Sequence, residues 1–340
     1  MALKPPVEVP QGAIRLNTDS QKMEFFAQDQ WWEMATDVHT LQGGARGIFS
    51  GQNVPSGPSN TAQIDAINIA SQGNAFDFGD NSEARRGGGQ CGSRTRALLG
   101  GGYNDSGSRV PTIDYVTISS TGNAADFGDR TLSANAVGAV SNQTRGIFHG
   151  GVQPSVSNII DYVTIATTGN AQDFGDSINT NANHTGMGSP TRGIIGGNGP
   201  DGEMEFITIP TLGNGTEFGN NLLDGRTELP GGGSNSTRGI YLGGETQPAG
   251  NRIDRIQYIT IPTLGNATDF GNLAAVRRGG GGCASPIRVL YAGGNTAPAN
   301  TIVNTIEYVT IATTGDATDF GDLAMAKSPY NGTSNAHGGL

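Results

Sequence analysis

The chain has 340 residues, of which 55 are glycine and 16 proline, with 35% apolar residues and 30 acidic against 20 basic side chains. Glycine and proline are about a fifth of the sequence, against about an eighth on average, and they follow no period of three, which excludes collagen and long amphipathic helices alike. A net charge of −10 argues against a nucleic-acid partner. No apolar run approaches the ~18 residues of a membrane span, and two cysteines are no disulfide framework.

Residues 1–40 form one expected unit, separate from the rest. The opening MALKPPVEVP lacks the apolar segment of a secretory signal. In the stretch GAIRLNTDSQKMEFFAQDQWWEM, Gly12, Ile14 and Leu16 alternate, Asn17 to Ser20 reads as a turn, and Met23 to Phe26 returns. The pattern predicts a β-hairpin followed by Trp31-Trp32. Both tryptophans of the chain lie here, in a piece too small to own a core. Phe25, Phe26, Trp31 and Trp32 are therefore read as an interface for attachment or self-association, since clustered aromatics of this kind favour interfaces. The alternative is a hairpin that packs against the following repeat.

From residue 41 onward one unit of about fifty residues recurs six times. Its tripeptide stands at Asp77-Phe78-Gly79, Asp126-Phe127-Gly128, Asp173-Phe174-Gly175, Glu217-Phe218-Gly219, Asp269-Phe270-Gly271 and Asp319-Phe320-Gly321, the phenylalanines 49, 47, 44, 52 and 50 residues apart. Arg46, Arg96, Arg145, Arg192, Arg238 and Arg288 keep the same beat, each ahead of an apolar run. The last unit reads GGGGCAS, IRVLYAGG, NTIEYVTIATTG and DATDFGDLA, four short pieces bounded by turn residues and predicted as four strands. Apolar residues on both faces of the third piece mean that both faces are covered. The glycine-rich first piece belongs innermost, where large side chains would clash.

A double glycine after the second strand, an aromatic in the third and another in the fourth resemble the kelch repeat. The residues that carry this are Gly293-Gly294, Tyr308 and Phe320, and before them Gly243-Gly244, Tyr258 and Phe270. The fourth-strand aromatic is Phe, where kelch repeats usually carry tryptophan. The expectation is an all-β chain: a six-bladed β-propeller of four-stranded antiparallel blades over 41–340, plus the N-terminal β-hairpin segment. The first unit, starting at Gly44, has no first strand of its own, while the chain ends in SPYNGTSNAHGGL, which parallels LPGGGSNSTRGI. Pairing of Tyr330–Gly338 with Ile48–Gly51 would close the propeller and remove its free edges.

The phrase TIATTGNAxDFGD is similar to repeats in virion proteins of phages that infect marine cyanobacteria. Gly12, Ile14, Arg15, Asn17 and Asp19 match the G-x-I-R-x-N-x-D hairpin of phage fibre and baseplate proteins. These resemblances imply a virion protein of the tail or tail fibre, self-associated or held by other tail or baseplate proteins through its N-terminal segment. The propeller would serve as a rigid spacer or as a module that binds a host-surface glycan or protein. A cellular kelch-type protein-interaction module is the alternative.

Residues capable of chemistry either recur in every unit or stand alone. His39, His149, His184 and His337 lack metal-ligand spacing, and no Cys/His cluster accompanies them. Asp-Phe-Gly occurs six times without a phosphate loop, so a kinase reading fails. Its acid and the recurrent arginine are assigned to hydrogen bonds at strand ends or between blades. Cys91 and Cys283, placed in blades one and five, are read as buried thiols too far apart to bridge. Arg85-Arg86 and Arg277-Arg278 are read as solvated surface. No unit carries an acidic pair of its own that would suggest a glycan hydrolase. No enzyme, cofactor or metal is expected. Binding is assigned to the loops after the double glycines, NVPSGPSNTAQ, YNDSGSRVPT, VQPSVSN, NGPDGE, ETQPAGNRIDR and NTAPANTIVN, because variable loops on a rigid scaffold carry recognition.

Overall fold

The structure, a computed structural model, describes residues 10–17, 22–33, 45–50, 52–55, 60–196, 202–219, 222–224, 227–228 and 230–340. The chain separates into two compact units, Met1–Gly44 and Ala45–Leu340. Among the described residues every regular element is a β-strand, and no helix is long and apolar enough to cross a membrane.

The first unit is a three-stranded antiparallel sheet of β1 (Ile14–Asn17), β2 (Lys22–Ala27) and β3 (Gln30–Glu33). The expected hairpin is its first half; from residue 18 to 21 the connecting turn lies outside the described residues. The tryptophans, expected only to follow the hairpin, form its third strand. Gln28 and Asp29 make the second turn with φ of 52° and 58°. Positive φ at both central residues matches the right-handed twist of the flanking strands, but such turns usually advertise themselves with Asn-Gly or Asp-Gly. Without glycine, this one carried no signal.

Among the described residues the second unit holds six antiparallel repeat sheets, five of four strands and one, the fifth, in which Thr227–Glu228 adds a fifth strand, together with shorter two- and three-stranded ladders. The second to sixth follow chain order. The second sheet is typical, with Gly89–Gly92, Arg96–Gly100, Thr112–Thr117 and Ala125–Asp129. The first sheet instead pairs Thr333–Ser334 with Arg46–Phe49, followed by Gln63–Asn68 and Phe76–Asp80. The pairing is shorter than the sequence suggested: Thr333 faces Ile48, Ser334 faces Gly47, and Asn335 adds two bonds to Arg46, one from its N–H and one to its Oδ1. The flanking residues turn to other sheets. Asn331 Nδ2 donates to the carbonyls of Gly88 and Val137, and Gly338 N–H donates to Ser234.

Each part of the repeat has a physical task between neighbouring sheets. Gly122 N–H donates to Phe78 O, Gly169 to Phe127, Gly213 to Phe174, Gly265 to Phe218, Gly315 to Phe270, and Gly73 to Phe320. The last of these runs from the first sheet to the sixth. The tripeptide glycine makes the approach possible: a Cβ on Gly79, at φ 146°, would collide with the backbone of Gly122. The phenylalanine is buried and, in the second to sixth sheets, meets the third-strand aromatic edge-on, as Phe320 meets Tyr308 at 5.5 Å. The repeat arginine lies over that same ring, Arg238 at 4.3 Å from the centroid of Tyr258, and its Nη1 donates to a carbonyl of the next sheet, that of Ile311, at 2.7 Å. Nη1 of Arg46, Arg96, Arg145, Arg192 and Arg288 donates likewise to Ile118, Ile165, Ile209, Ile261 and Ile69, though in the first sheet, where Ala66 replaces the aromatic, Arg46 lies over Phe76. Both series therefore return to the sheet from which they start.

The core lies between sheets: Ile48, Ile64 and Phe78 of the first are buried with Ala97, Val116 and Ile118 of the second. First strands neighbour one another in order, and the sixth neighbours Thr333–Ser334. They are glycine-rich because a Cβ on Gly282 would run into the backbone of Gly232 next door. Cys91 and Cys283 sit on such strands as free, buried thiols. They open the second and sixth sheets, not the first and fifth, because the first sheet takes its opening strand from the C-terminal segment.

Candidate functional site

The four aromatic residues of the N-terminal sheet divide between its faces. Ile14 pairs with Phe25 and Phe25 with Trp32, so these three side chains share one side. Ile14 is 58% exposed and Trp32 45%. Phe26 and Trp31 occupy the other side, edge to face at 5.3 Å. Arg15 lies over the Trp31 ring at 4.1 Å and pairs with Glu24 at 2.7 Å. The expected aromatic cluster is thus two structures: a cation-backed pair on one face and an exposed apolar row on the other.

The loops after the double glycines, to which binding is assigned, contain short ladders. Gln52–Asn53 pairs with Asn60–Thr61, Val152–Gln153 with Ser155–Val156, and Asn295–Thr296 with both Thr301–Ile302 and Arg277–Arg278. In the fifth sheet the strands Arg238–Thr246 and Asn251–Thr260 simply run on into the loop. The corresponding loop of the fourth sheet falls largely at 197–201, outside the described residues.

The most distinctive chemistry is a row of buried third-strand residues that the sequence reading missed. Asp65, Asp114, Asp161, Glu205, Gln257 and Glu307 occupy one register position, each facing the acid of the tripeptide on the fourth strand. Each also accepts a backbone N–H from the segment leading to the first strand of its sheet: Ala324, Ser82, Thr131, Ile178, Leu223 and Ala274 in turn. In four sheets a cation completes the arrangement. Lys327 Nζ lies 2.7 Å from Asp65, Arg85 Nη2 3.1 Å from Asp114 and Arg130 Nε 3.2 Å from Asp161, while Arg277 pairs with Glu307. Arg85 and Arg277 are therefore buried ion-pair partners and not the solvated surface expected of the Arg-Arg pairs. A signal existed: Arg85, Arg277 and Lys327 each stand six residues after the tripeptide glycine. The tripeptide acids themselves stay exposed, and Asp77 and Asp126 accept from the N–H of Gly79 and Gly128.

The fourth sheet departs from this plan. Glu205 is only 8% exposed and keeps its Ile178 bond at 2.7 Å, but the segment 176–186 contains neither lysine nor arginine. Burial raises its carboxyl above the ordinary carboxylate range. Beside it lies a cavity of about 170 Å³, lined among others by Ile178, Asn181, Glu203, Glu205 and Glu217. Glu205 faces Glu217 as its counterparts face theirs, and what is particular to this sheet is Glu203 at the same cavity, which sequence reading did not single out. Among the described residues no group of three or more His, Cys, Asp or Glu side chains is placed to hold a metal ion.

The adjoining sheet contributes a buried histidine. His149 is fully buried, with Nδ1 at 3.2 Å from Asn181 Oδ1, and burial lowers its pKa to about 4. Unfolded, the ring takes up a proton near pH 6.5, so the stability held by its neutral form is present above that pH and lost as pH falls toward 4. We expect this one group to withdraw about 3 kcal/mol across that window. A proton-detected titration checks it: the His149 ring should stay neutral to about pH 4, and a titration near 6.5 would contradict the burial argument.

No protein-family model matches this chain, and no curated protein matches it in sequence.

Proposed function

We propose that the second unit is a six-bladed β-propeller closed by the C-terminal strand, and that the chain is a structural protein of a phage virion, a tail or tail-fibre component. The observation that carries the architecture is the pair of inter-sheet bond series, each of which returns from the sixth sheet to the first. Interlocked sheets of this kind form a rigid platform, and rigidity is what a spacer or a host-surface binding module needs. The short ladders in the double-glycine loops suit recognition of a host-surface glycan or protein without catalysis. The row of exposed Ile14 and Trp32 with half-buried Phe25 suits attachment to a second copy or to a tail or baseplate partner, since such apolar rows gain by being covered. The virion assignment itself rests on the resemblance of the repeat and of the N-terminal hairpin to phage fibre sequences.

Mass spectrometry of purified particles tests this reading. The chain should be recovered from intact virions at a stoichiometry matching a tail structure, with virion genes beside its own. Its absence from the particles would overturn the assignment. The propeller and the apolar row would stand or fall separately.

A further inference from the structure

We propose that the cavity beside Glu205 is a binding site for an ammonium or guanidinium group, supplied by a ligand in place of the missing internal cation. The argument is a comparison among six copies of one arrangement within the same molecule. In the first, second, third and sixth sheets a buried third-strand carboxylate takes one backbone N–H and one lysine or arginine. In the fifth the position is neutral, Gln257, so no counter-charge is called for. In the fourth the carboxylate and its backbone N–H both remain, with a hydrogen bond from Ser177, but among the described residues no lysine or arginine pairs with it.

The two positions that supply the cation elsewhere are legible by register. Arg130 is the second residue after Gly128, and the second residue after Gly175 is Ser177. Arg85, Arg277 and Lys327 are the sixth after their glycines, and the sixth after Gly175 is Asn181. Both replacements are shorter and neutral, and Asn181 lines the cavity. A further change accompanies them. The residue two before the tripeptide acid is alanine in the other five sheets, Ala75, Ala124, Ala171, Ala267 and Ala317, but Gly215 here. A Cβ at that position would overlap Glu205 Oε2. The fourth sheet has thus lost a cation and a methyl group around a carboxylate it has kept.

A volume of about 170 Å³ holds roughly five waters at about 30 Å³ each, or one guanidinium with the first carbons of its chain. A buried carboxylate without a counter-charge is costly, and a cation that enters recovers that cost as binding energy. Glu203 and Glu217 at the same cavity add negative charge and disfavour anions. The ligand class is therefore cationic, either a small free amine or guanidine or the lysine or arginine side chain of a partner. This inference does not rest on the virion assignment.

The test is a titration of the full chain at low ionic strength, followed by NMR or calorimetry, with methylguanidinium, n-butylammonium, and capped tripeptides carrying a central arginine or lysine. Saturable binding is expected, weakened at least tenfold in Glu205→Gln. Gln257 shows that glutamine is accepted at this register position, so that variant is expected to fold. Asn181→Arg supplies the cation from the position used by Arg85, and is expected to abolish binding. Tighter binding of the tripeptides assigns the site to a partner's side chain, and tighter binding of the free cations to a small ligand. No saturable binding by any of the four probes, or binding unaltered by Glu205→Gln, would overturn the proposal.

Discussion

Removal of residues 328–340 is expected to leave a chain that aggregates, or one that melts at least ~10 °C below the full protein. The segment is bound to sheets remote from it in sequence. Ser328 Oγ donates to Gly279 O at 2.7 Å, Asn331 Nδ2 to the carbonyls of Gly88 and Val137, and Ser334 Oγ to Ala284 O. Gln90 Nε2 donates to Asn331 O, and Asn335 Oδ1 accepts from Arg46 N–H. At about 1 kcal/mol for each buried bond, the loss is several kcal/mol, set against a total stability of about 5–15 kcal/mol. For a domain of this size each kcal/mol moves the melting temperature by about 2–4 °C. Deletion also bares the Arg46–Phe49 edge, whose free N–H and C=O groups invite pairing with another chain. Calorimetry and light scattering read both effects. A soluble monomer with unchanged melting would show that the C-terminal strand does not hold the sheets together.

The second large effect is expected at the Lys327 and Asp65 pair, where both side chains are fully buried and 2.7 Å apart. Burial raises the Asp65 carboxyl and lowers the Lys327 ammonium, so desolvation outweighs the mutual attraction for each. Replacing one partner strands the other as a buried charge. Lys327→Met is expected to cost about 3–5 kcal/mol in urea unfolding. Adding Asp65→Asn should return most of that loss, because the stranded charge disappears and the Gln63 and Ala324 contacts of the side chain can persist. The pair Arg255 and Asp224, at 3.1 Å with side chains 41% and 17% exposed, serves as the less buried contrast and should cost about 1 kcal/mol when broken. Equal losses at the two pairs would contradict the role given to burial.

Much of this was readable from residues alone. The six-fold beat of Phe78, Phe127, Phe174, Phe218, Phe270 and Phe320, the four short strands per unit and the orphan C-terminal strand all follow from local pattern, since turn chemistry and strand propensity act over a few neighbours. The close approach of the glycine-rich first strands to one another could be read by the same reasoning, because a missing side chain is itself a statement about space. Two misjudgements were also local. A turn without glycine at Gln28-Asp29 concealed the third N-terminal strand, and Arg85 and Arg277 looked like surface because a run of two arginines usually is.

What the sequence determined by itself is therefore the all-β class, the repeat, and the order of strands within each unit. Tertiary structure alone decided which charges meet. Asp114 and Arg85 are separated by 29 positions and Asp65 and Lys327 by 262, and the place of Arg85 and Lys327 six residues after the tripeptide glycine marks a shared role without naming the acid that each meets. It also decided that Glu205 has no such partner among the described residues and has a cavity beside it, a fact visible only when six sheets can be compared in register. The physical reason is that propensity and hydrophobic period report on a residue's immediate neighbours along the chain. The energy of a buried charge depends on which distant groups the folded backbone brings within a few ångströms of it.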